Sequence, residues 1–245
     1  MLPARAWHRL AAVIPQTLVV AVSVAGCATT HGRADPQDPW EGFNRSMFEF
    51  NQTLDKALIR PIAEWYQKVT PDPIDRSVTN FFGNLNDVLV VMNDLLQFKL
   101  EQAVSDLGRI VANTTFGVLG LFDVATRFGL EKHDEDLGQT MGYWGMDTGP
   151  YLVLPVLGPS SLRDTVGRAG EFAVSPLDIF DEPTRWTLRG VHAVDLRADL
   201  LSVTRVAETA ALDEYVFVRD AYLQRRQYLV YDGTPPPLSF EDDEE

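Results

Sequence analysis

Apolar residues recur along most of this chain at the spacing of one helical face. Phe43, Met47, Phe50, Leu54 and Leu58 follow one another at steps of 4, 3, 4 and 4. That period predicts a helix opened by Asp38 as N-cap and Pro39 as its first residue. Pro61 and then Pro71-Asp72-Pro73 break the next stretch. The longest pattern runs through Val78, Phe81, Phe82, Leu85, Val88, Leu89, Met92, Leu95 and Leu96, with Val90 and Val91 widening it. Asn84, Asn86, Asp87, Asn93 and Asp94 mark its other side. Leu100, Val104, Leu107 and Val111 supply a further helix at 4, 3, 4. Stripes of this kind are expected to face inward as an ordinary helical core.

Two segments depart from that pattern. Residues 116 to 130 are broadly apolar and punctuated by Gly117, Gly120 and Gly129, so Phe116, Leu119, Leu121 and Phe122 are candidates for contact with lipid. From Gly138 to Gly167 the helical period is lost. Gly138, Gly142, Gly145, Gly149 and Gly158 alternate with Pro150, Pro155 and Pro159 around Tyr151-Leu152-Val153-Leu154, which predicts an irregular or hairpin-like segment. Helices are expected again near Leu162 to Phe172, over Leu188, Val191, Val194 and Leu201, and over Tyr215, Val218, Tyr222, Arg225 and Leu229. The fold class is therefore mainly α, a single helical domain over 38–232 with one Gly/Pro-rich extended or hairpin-like segment. Residues 233–245, with Pro235-Pro236-Pro237 and an acidic run, read as a disordered tail.

The first 26 residues change the compartment. Arg5, His8 and Arg9 precede an apolar run from Leu10 to Ala25, and small residues lead into Cys27, the single cysteine. This is the layout of a secretory signal. The run is shorter than the ~20 residues of a membrane span and is interrupted by Pro15 and Gln16, which disfavours a one-pass anchor. Val24-Ala25-Gly26-Cys27 resembles the lipobox of bacterial lipoproteins. That resemblance implies a lipidated Cys27, a short polar tether over 27–37 and, with Ala28 rather than Asp next, onward transport to the outer membrane.

Charge then excludes partners. The chain carries a net −14, more negative once Arg5 and Arg9 leave with the signal. An acidic surface repels phosphate, so nucleic acid is no partner. Attachment through a basic patch is disfavoured for the same reason. A fully acylated Cys27 would hold instead, because two or more chains anchor firmly where one does not.

Candidate chemistry is sparse. His31, His133 and His192 are scattered, and there is no metal-binding spacing and no phosphate-cradling loop. His133-Asp134-Glu135-Asp136 reads as a solvated acidic loop, since four adjacent side chains do not readily converge on an ion. No metal or cofactor is expected. Gly158-Pro159-Ser160-Ser161 does not fit the hydrolase elbow, and its serines read as a turn and helix cap. A phospholipase would need His133 or His192 against one of them.

The run Gly138-Gln139-Thr140-Met141-Gly142-Tyr143-Trp144-Gly145, then Gly149-Pro150-Tyr151-Leu152-Val153-Leu154-Pro155 and Gly158-Pro159-Ser160-Ser161-Leu162-Arg163-Asp164, resembles the signature of the MlaA (VacJ) family. Asp38-Pro39-Trp40-Glu41-Gly42-Phe43-Asn44-Arg45, Phe81-Phe82-Gly83-Asn84-Leu85 and Arg219-Asp220-Ala221-Tyr222 agree with it. The resemblance implies a lipid-anchored, ring-like helical body on the periplasmic face of the outer membrane. It would move mislocalised phospholipids through a polar channel to a soluble MlaC-like carrier, without catalysis, in association with trimeric porins. Gly138 to Pro159 is the candidate channel or rim. Arg163 and Asp164 are either a polar pair lining it or a salt bridge with a helix cap. A porin-docking adaptor and, more remotely, a periplasmic phospholipase are the alternative readings.

Overall fold

The computed structural model describes residues 35–236. The signal segment, Cys27 and the end of the acidic tail lie outside the described residues. The chain is mainly α. Helix α1 (Glu41–Leu54) runs through a π-helical turn, Asp55–Ile59, into α2 (Arg60–Val69). Then come α3 (Asp72–Leu96) and α4 (Leu100–Thr115), which form the largest helix pair. After a 3-10 turn (Thr126–Phe128) follow α5 (Leu137–Tyr143), the strands β1 (Tyr151–Leu154) and β2 (Gly158–Ser161), and α6 (Leu162–Ala173). The chain continues through α7 (Glu182–Asp199), α8 (Leu201–Ala210) and α9 (Glu214–Val230). Among the described residues no helix is long and apolar enough to cross a membrane.

Local chemistry accounts for the boundaries. Pro71 precedes α3, and Pro73 lies in its first turn, where a missing N–H costs nothing. Asp136, Ser161 and Asp213 cap α5, α6 and α9 by accepting the amides of Gln139, Asp164 and Tyr215 at 2.8, 3.1 and 3.0 Å. β1 and β2 form an antiparallel hairpin in which Tyr151 faces Ser161 and Leu154 faces Gly158. The outer edge of β1 is closed by helix α1: Asn44 Oδ1 accepts the Val153 amide at 2.9 Å, and Asn51 Nδ2 donates to the Leu154 carbonyl at 2.9 Å.

Several expectations are corrected. Asp38 is not the N-cap of the first helix, which begins at Glu41. Its carboxylate is drawn inward instead, accepting from Asn44 Nδ2 at 2.8 Å and from the Tyr215 hydroxyl. Pro71-Asp72-Pro73 does break the chain, and it also starts the next helix at Asp72. Helical structure does not stop at Gly138, because α5 covers 137–143. The pattern ending at Leu201 is divided at Leu200 between α7 and α8.

The largest correction is the direction of the apolar stripes. Leu100, Val104, Leu107 and Val111 of α4 are exposed, Val104 to 71%, while Asp106, Arg109 and Asn113 on the same helix are buried. On α3, Val88, Leu95 and Leu96 are exposed and Asn84, Asp87, Asn93 and Asp94 are buried. Two small apolar clusters form among the described residues, Ala63, Ala198 and Leu201 on one side and Tyr151, Val153 and Tyr215 on the other. Both helices are amphipathic as predicted; the α4 stripe is turned outward, and α3 is turned so only in part, since Phe82 and Val90 of its stripe are buried.

Candidate functional site

The inversion makes the polar interior the first candidate for function. Arg109, 2% exposed, stands at one end of it. It donates to Asp123 Oδ1 at 3.1 Å, to the Leu130 carbonyl at 2.6 Å and to Thr126 Oγ1 at 3.1 Å, and lies 3.9 Å from Asp87. Lys132 reaches Asp87 at 3.7 Å from the other side. Burial pushes the Asp87 carboxyl up, against the pull of Lys132 and Arg109. Burial also pushes Asp123 up, but its bonds to Thr126 and the nearby Arg109 outweigh it and hold that carboxyl below its usual range.

A second group joins α3 to α5. The Thr140 hydroxyl donates to Asn93 Oδ1 at 2.9 Å, and Gln97 Nε2 donates to Glu135 Oε2 at 2.8 Å. Lys99 pairs with Glu135 at 2.7 Å, and Glu171 Oε1 accepts the Leu137 amide at 2.7 Å. Asp94 lies fully buried among them with neither oxygen bonded. Burial first, then the neighbouring Asp106, pushes it up to about 7. The segment 133–136 is therefore not the solvated loop expected. Glu135 is buried, His133 Nδ1 meets Asp106 Oδ2 at 2.8 Å, and Asp136 pairs with Arg226.

A third group closes the seam between α5, α6 and α9. Arg226 Nη2 donates to Asp136 Oδ1 and to Asp164 Oδ1, both at 2.9 Å, and the Tyr222 hydroxyl donates to Asp164 Oδ2 at 2.6 Å. Burial raises the Asp164 carboxyl, but Arg226, Tyr222 and Arg163 together bring it below its usual range. Glycine lets the helices approach this closely. A Cβ on Gly167 would fall 2.6 Å from the Gly138 nitrogen, and one on Gly138 would fall 2.5 Å from Asp164 Oδ1.

The residues singled out from sequence separate into two sets. Gly138, Gly142, Arg163 and Asp164 come together in this packed seam, where Arg163 Nε meets Asp164 Oδ1 at 3.0 Å. Gly145 and Gly149 instead take positive φ in the segment leading to the hairpin, with Pro150 next to Gly149. Pro155 lies in the hairpin turn, and Gly158, also at positive φ, opens β2 ahead of Pro159. Phe116, Leu119, Leu121 and Phe122 are exposed, on a loop whose Val118 and Leu119 are themselves left-handed. Asn113 Oδ1 supports that loop from below by accepting the amides of Val124 and Ala125, both at 2.8 Å. The serines are structural: Ser161 caps α6, and buried Ser160 bonds to Thr165 at 3.0 Å. His133 is engaged by Asp106, and His192 stacks on Phe82 at 4.4 Å.

Sequence reasoning missed Arg109, Glu135, Asp136 and Arg226 as interior groups. A signal was present. Between Arg76 and Lys99 the polar positions are Asn, Asp, Ser, Thr and Gln, with no Lys or Glu. Long charged side chains suit a solvated helix face, and their absence marks a face packed against protein.

Comparison with known proteins follows the same lines. The sequence model of the MlaA lipoprotein family matches residues 36–229. The Escherichia coli (strain K12) protein named intermembrane phospholipid transport system lipoprotein MlaA is 33% identical over 87% of this chain and 87% of its own length. The Haemophilus influenzae protein of the same name is 30% identical over 88% of this chain and 89% of its own. A solved structure concerned with the structural basis for maintenance of bacterial outer membrane lipid asymmetry superposes with a TM-score of 0.71 at 31% identity. It covers 79% of this chain and 98% of its own.

Proposed function

Because this chain belongs to the MlaA lipoprotein family, we propose that it takes mislocalised phospholipids from the outer leaflet of the outer membrane and passes them to a soluble periplasmic carrier, preserving lipid asymmetry. The observation that carries this reading is the reversed amphipathicity, with Val88, Leu95 and Leu96 of α3 and the whole stripe of α4 outward and carboxyl, guanidinium and amide groups inward. Monomeric proteins rarely leave apolar surface of this extent to water, whereas hydrocarbon is its natural solvent.

Energetics requires such a body. Exposing two chains of ~16 carbons to water costs on the order of 25 kcal/mol at about 0.8 kcal/mol per CH₂. A transporter must keep tails in hydrocarbon and offer the headgroup a polar route. The apolar exterior does the first, together with acyl chains on Cys27 and the exposed Phe116, Leu119, Leu121 and Phe122. The hairpin segment from Gly145 to Pro159 forms the rim of the route, since irregular backbone at membrane depth is tolerated where it lines a wet cavity. The protein works without catalysis, beside trimeric porins and with an MlaC-like acceptor.

Reconstituted transfer tests this. With labelled phospholipid in proteoliposomes and the carrier outside, intact lipid reaches the carrier only when this protein is present. Gly145 has φ +88° and open space around it, so Gly145→Val strains the backbone without crowding a neighbour and should slow transfer. Normal transfer by that folded variant removes the hairpin from the route. Porin capture with no lipid movement at all leaves only an adaptor.

A further inference from the structure

Buried carboxyl groups gather where α3, α4 and the segment 133–135 meet, and all but two have a cation. Glu135 is paired with Lys99 at 2.7 Å, and Asp87 is faced by Lys132 at 3.7 Å and Arg109 at 3.9 Å. Asp94, near the end of α3, is 0% exposed, and neither of its oxygens has a hydrogen-bond partner. Facing it are Asp106 of α4, close enough for a side-chain hydrogen bond, and at longer range Glu135 and His133. Asp106 Oδ1 is likewise buried and unbonded.

Three carboxyl oxygens cannot satisfy one another while both groups are ionised, because a carboxylate only accepts. A single hydrogen removes the conflict: the Asp94 hydroxyl donates to Asp106 Oδ1, and a second like charge is spared burial. No three His, Cys, Asp or Glu side chains among the described residues converge as metal ligands do, so the geometry favours a proton over a divalent ion. The pair also has a way out. Asp106 Oδ2 meets His133 Nδ1 at 2.8 Å, and the His133 side chain, 28% exposed, lines a cavity of about 660 Å³ with room for water. With Nδ1 engaged by Asp106, Nε2 is the nitrogen left to exchange with solvent.

We propose that Asp94 and Asp106 hold one proton between them, exchanged with the cavity through His133, and that this proton pins α3 to α4. In loading, a proton taken from water at Nε2 lets Nδ1 give its own to the pair, and release runs in reverse. The turn beside the pair is 97–99, where Phe98 is held at φ +61°. Release leaves two like charges across the helix pair, next to Glu135, and loosens that turn. The device is independent of the lipid-transfer reading.

Infrared difference spectra of the full-length protein in micelles, wild type minus Asp94→Asn, isolate the carboxylic-acid carbonyl stretch of the pair. Because Asp94 is pushed up to about 7, that band should be about tenfold weaker at pH 8 than at pH 6. Hydrogen exchange over 95–100, corrected for its intrinsic pH dependence, should quicken about tenfold for the pH unit above that midpoint in the wild type. In Asp94→Asn it should not. His133→Phe should keep the band and delay its shift on transfer to heavy water. If the wild type shows no carboxylic-acid band titrating between about pH 6 and 8, the shared proton is overturned, whatever the variants do. A band that Asp94→Asn leaves in place overturns it too, and a titration that moves with sodium concentration at fixed ionic strength puts a cation there instead. Exchange over 95–100 indifferent to pH removes the pin. An undelayed shift in His133→Phe removes the route.

Discussion

Arg109 shows how the interior is held at the scale of single residues. Its guanidinium serves two carboxylates, a carbonyl and a hydroxyl from a position that water does not reach. Breaking a buried pair by removing one partner costs about 3–5 kcal/mol, because the remaining charge is stranded. Arg109→Leu should lower stability by that amount in denaturant titrations in micelles, more than any single exposed leucine would. Gly167→Ala sets a methyl against the backbone of Gly138, and overpacking of this kind costs about 1–3 kcal/mol. Its unfolding midpoint should fall while its lipid contacts stay intact. Asp94 behaves in the opposite sense. Its folded pKa is raised from 3.8 to about 7, so the folded state holds a proton the unfolded chain has released. Stability therefore declines as pH rises between about 4 and 7 and levels off above. Asp94→Asn should flatten that decline, because the amide has no proton to lose as the pH rises, and unfolding midpoints at pH 5 and pH 8 would show it.

Helices were the most legible elements, because a period near 3.6 sustained over several turns fits little else. Leu100, Val104, Leu107 and Val111 predict α4 closely. Periodicity reveals that a helix has two faces and not which solvent each will meet, so the same residues that located α4 misdirected it. The hairpin was legible from Gly and Pro, whereas α5 was hidden among them since Gly138 and Gly142 serve close packing rather than a turn. Long-range partners such as Asp38 with Tyr215, or Asp136 with Arg226, leave no local trace. The π turn at Asp55–Ile59 suggests a test at this scale. It carries one residue more than an α-helical turn, and it sets Asn44 of α1 toward the hairpin and Ala63 of α2 toward Ala198. Deleting Ala57 should rotate α2 by about 100° and disrupt the fold, while Ala57→Ser leaves it standing. Circular dichroism and limited proteolysis distinguish these outcomes.

At the scale of the whole molecule, the carboxylates divide into two populations. Asp55, Asp123, Asp136 and Asp164 are held below their usual range by cationic or hydroxyl partners that outweigh burial, and their contribution is lost as pH falls below about 4. Asp94, Glu171 and Asp195 are raised, chiefly by burial, and favour the acid side. Stability in micelles should therefore peak on the acid side of neutrality, at about pH 4–6, which unfolding midpoints from pH 3 to 9 would trace. The apolar exterior also predicts that Cys27→Ser, which removes the proposed acylation site, still floats with liposomes in a density gradient. A variant left wholly in the aqueous fraction would place the affinity in the proposed anchor alone. The same exterior sets a race in time. In water, two copies that collide bury their greasy belts against each other, and that loss grows with the square of concentration. Arrival at a bilayer is first order in the protein. Dilution, fast delivery or an escort that shields the belt favours arrival, so overproduction should harm this protein before any defect in its sequence does.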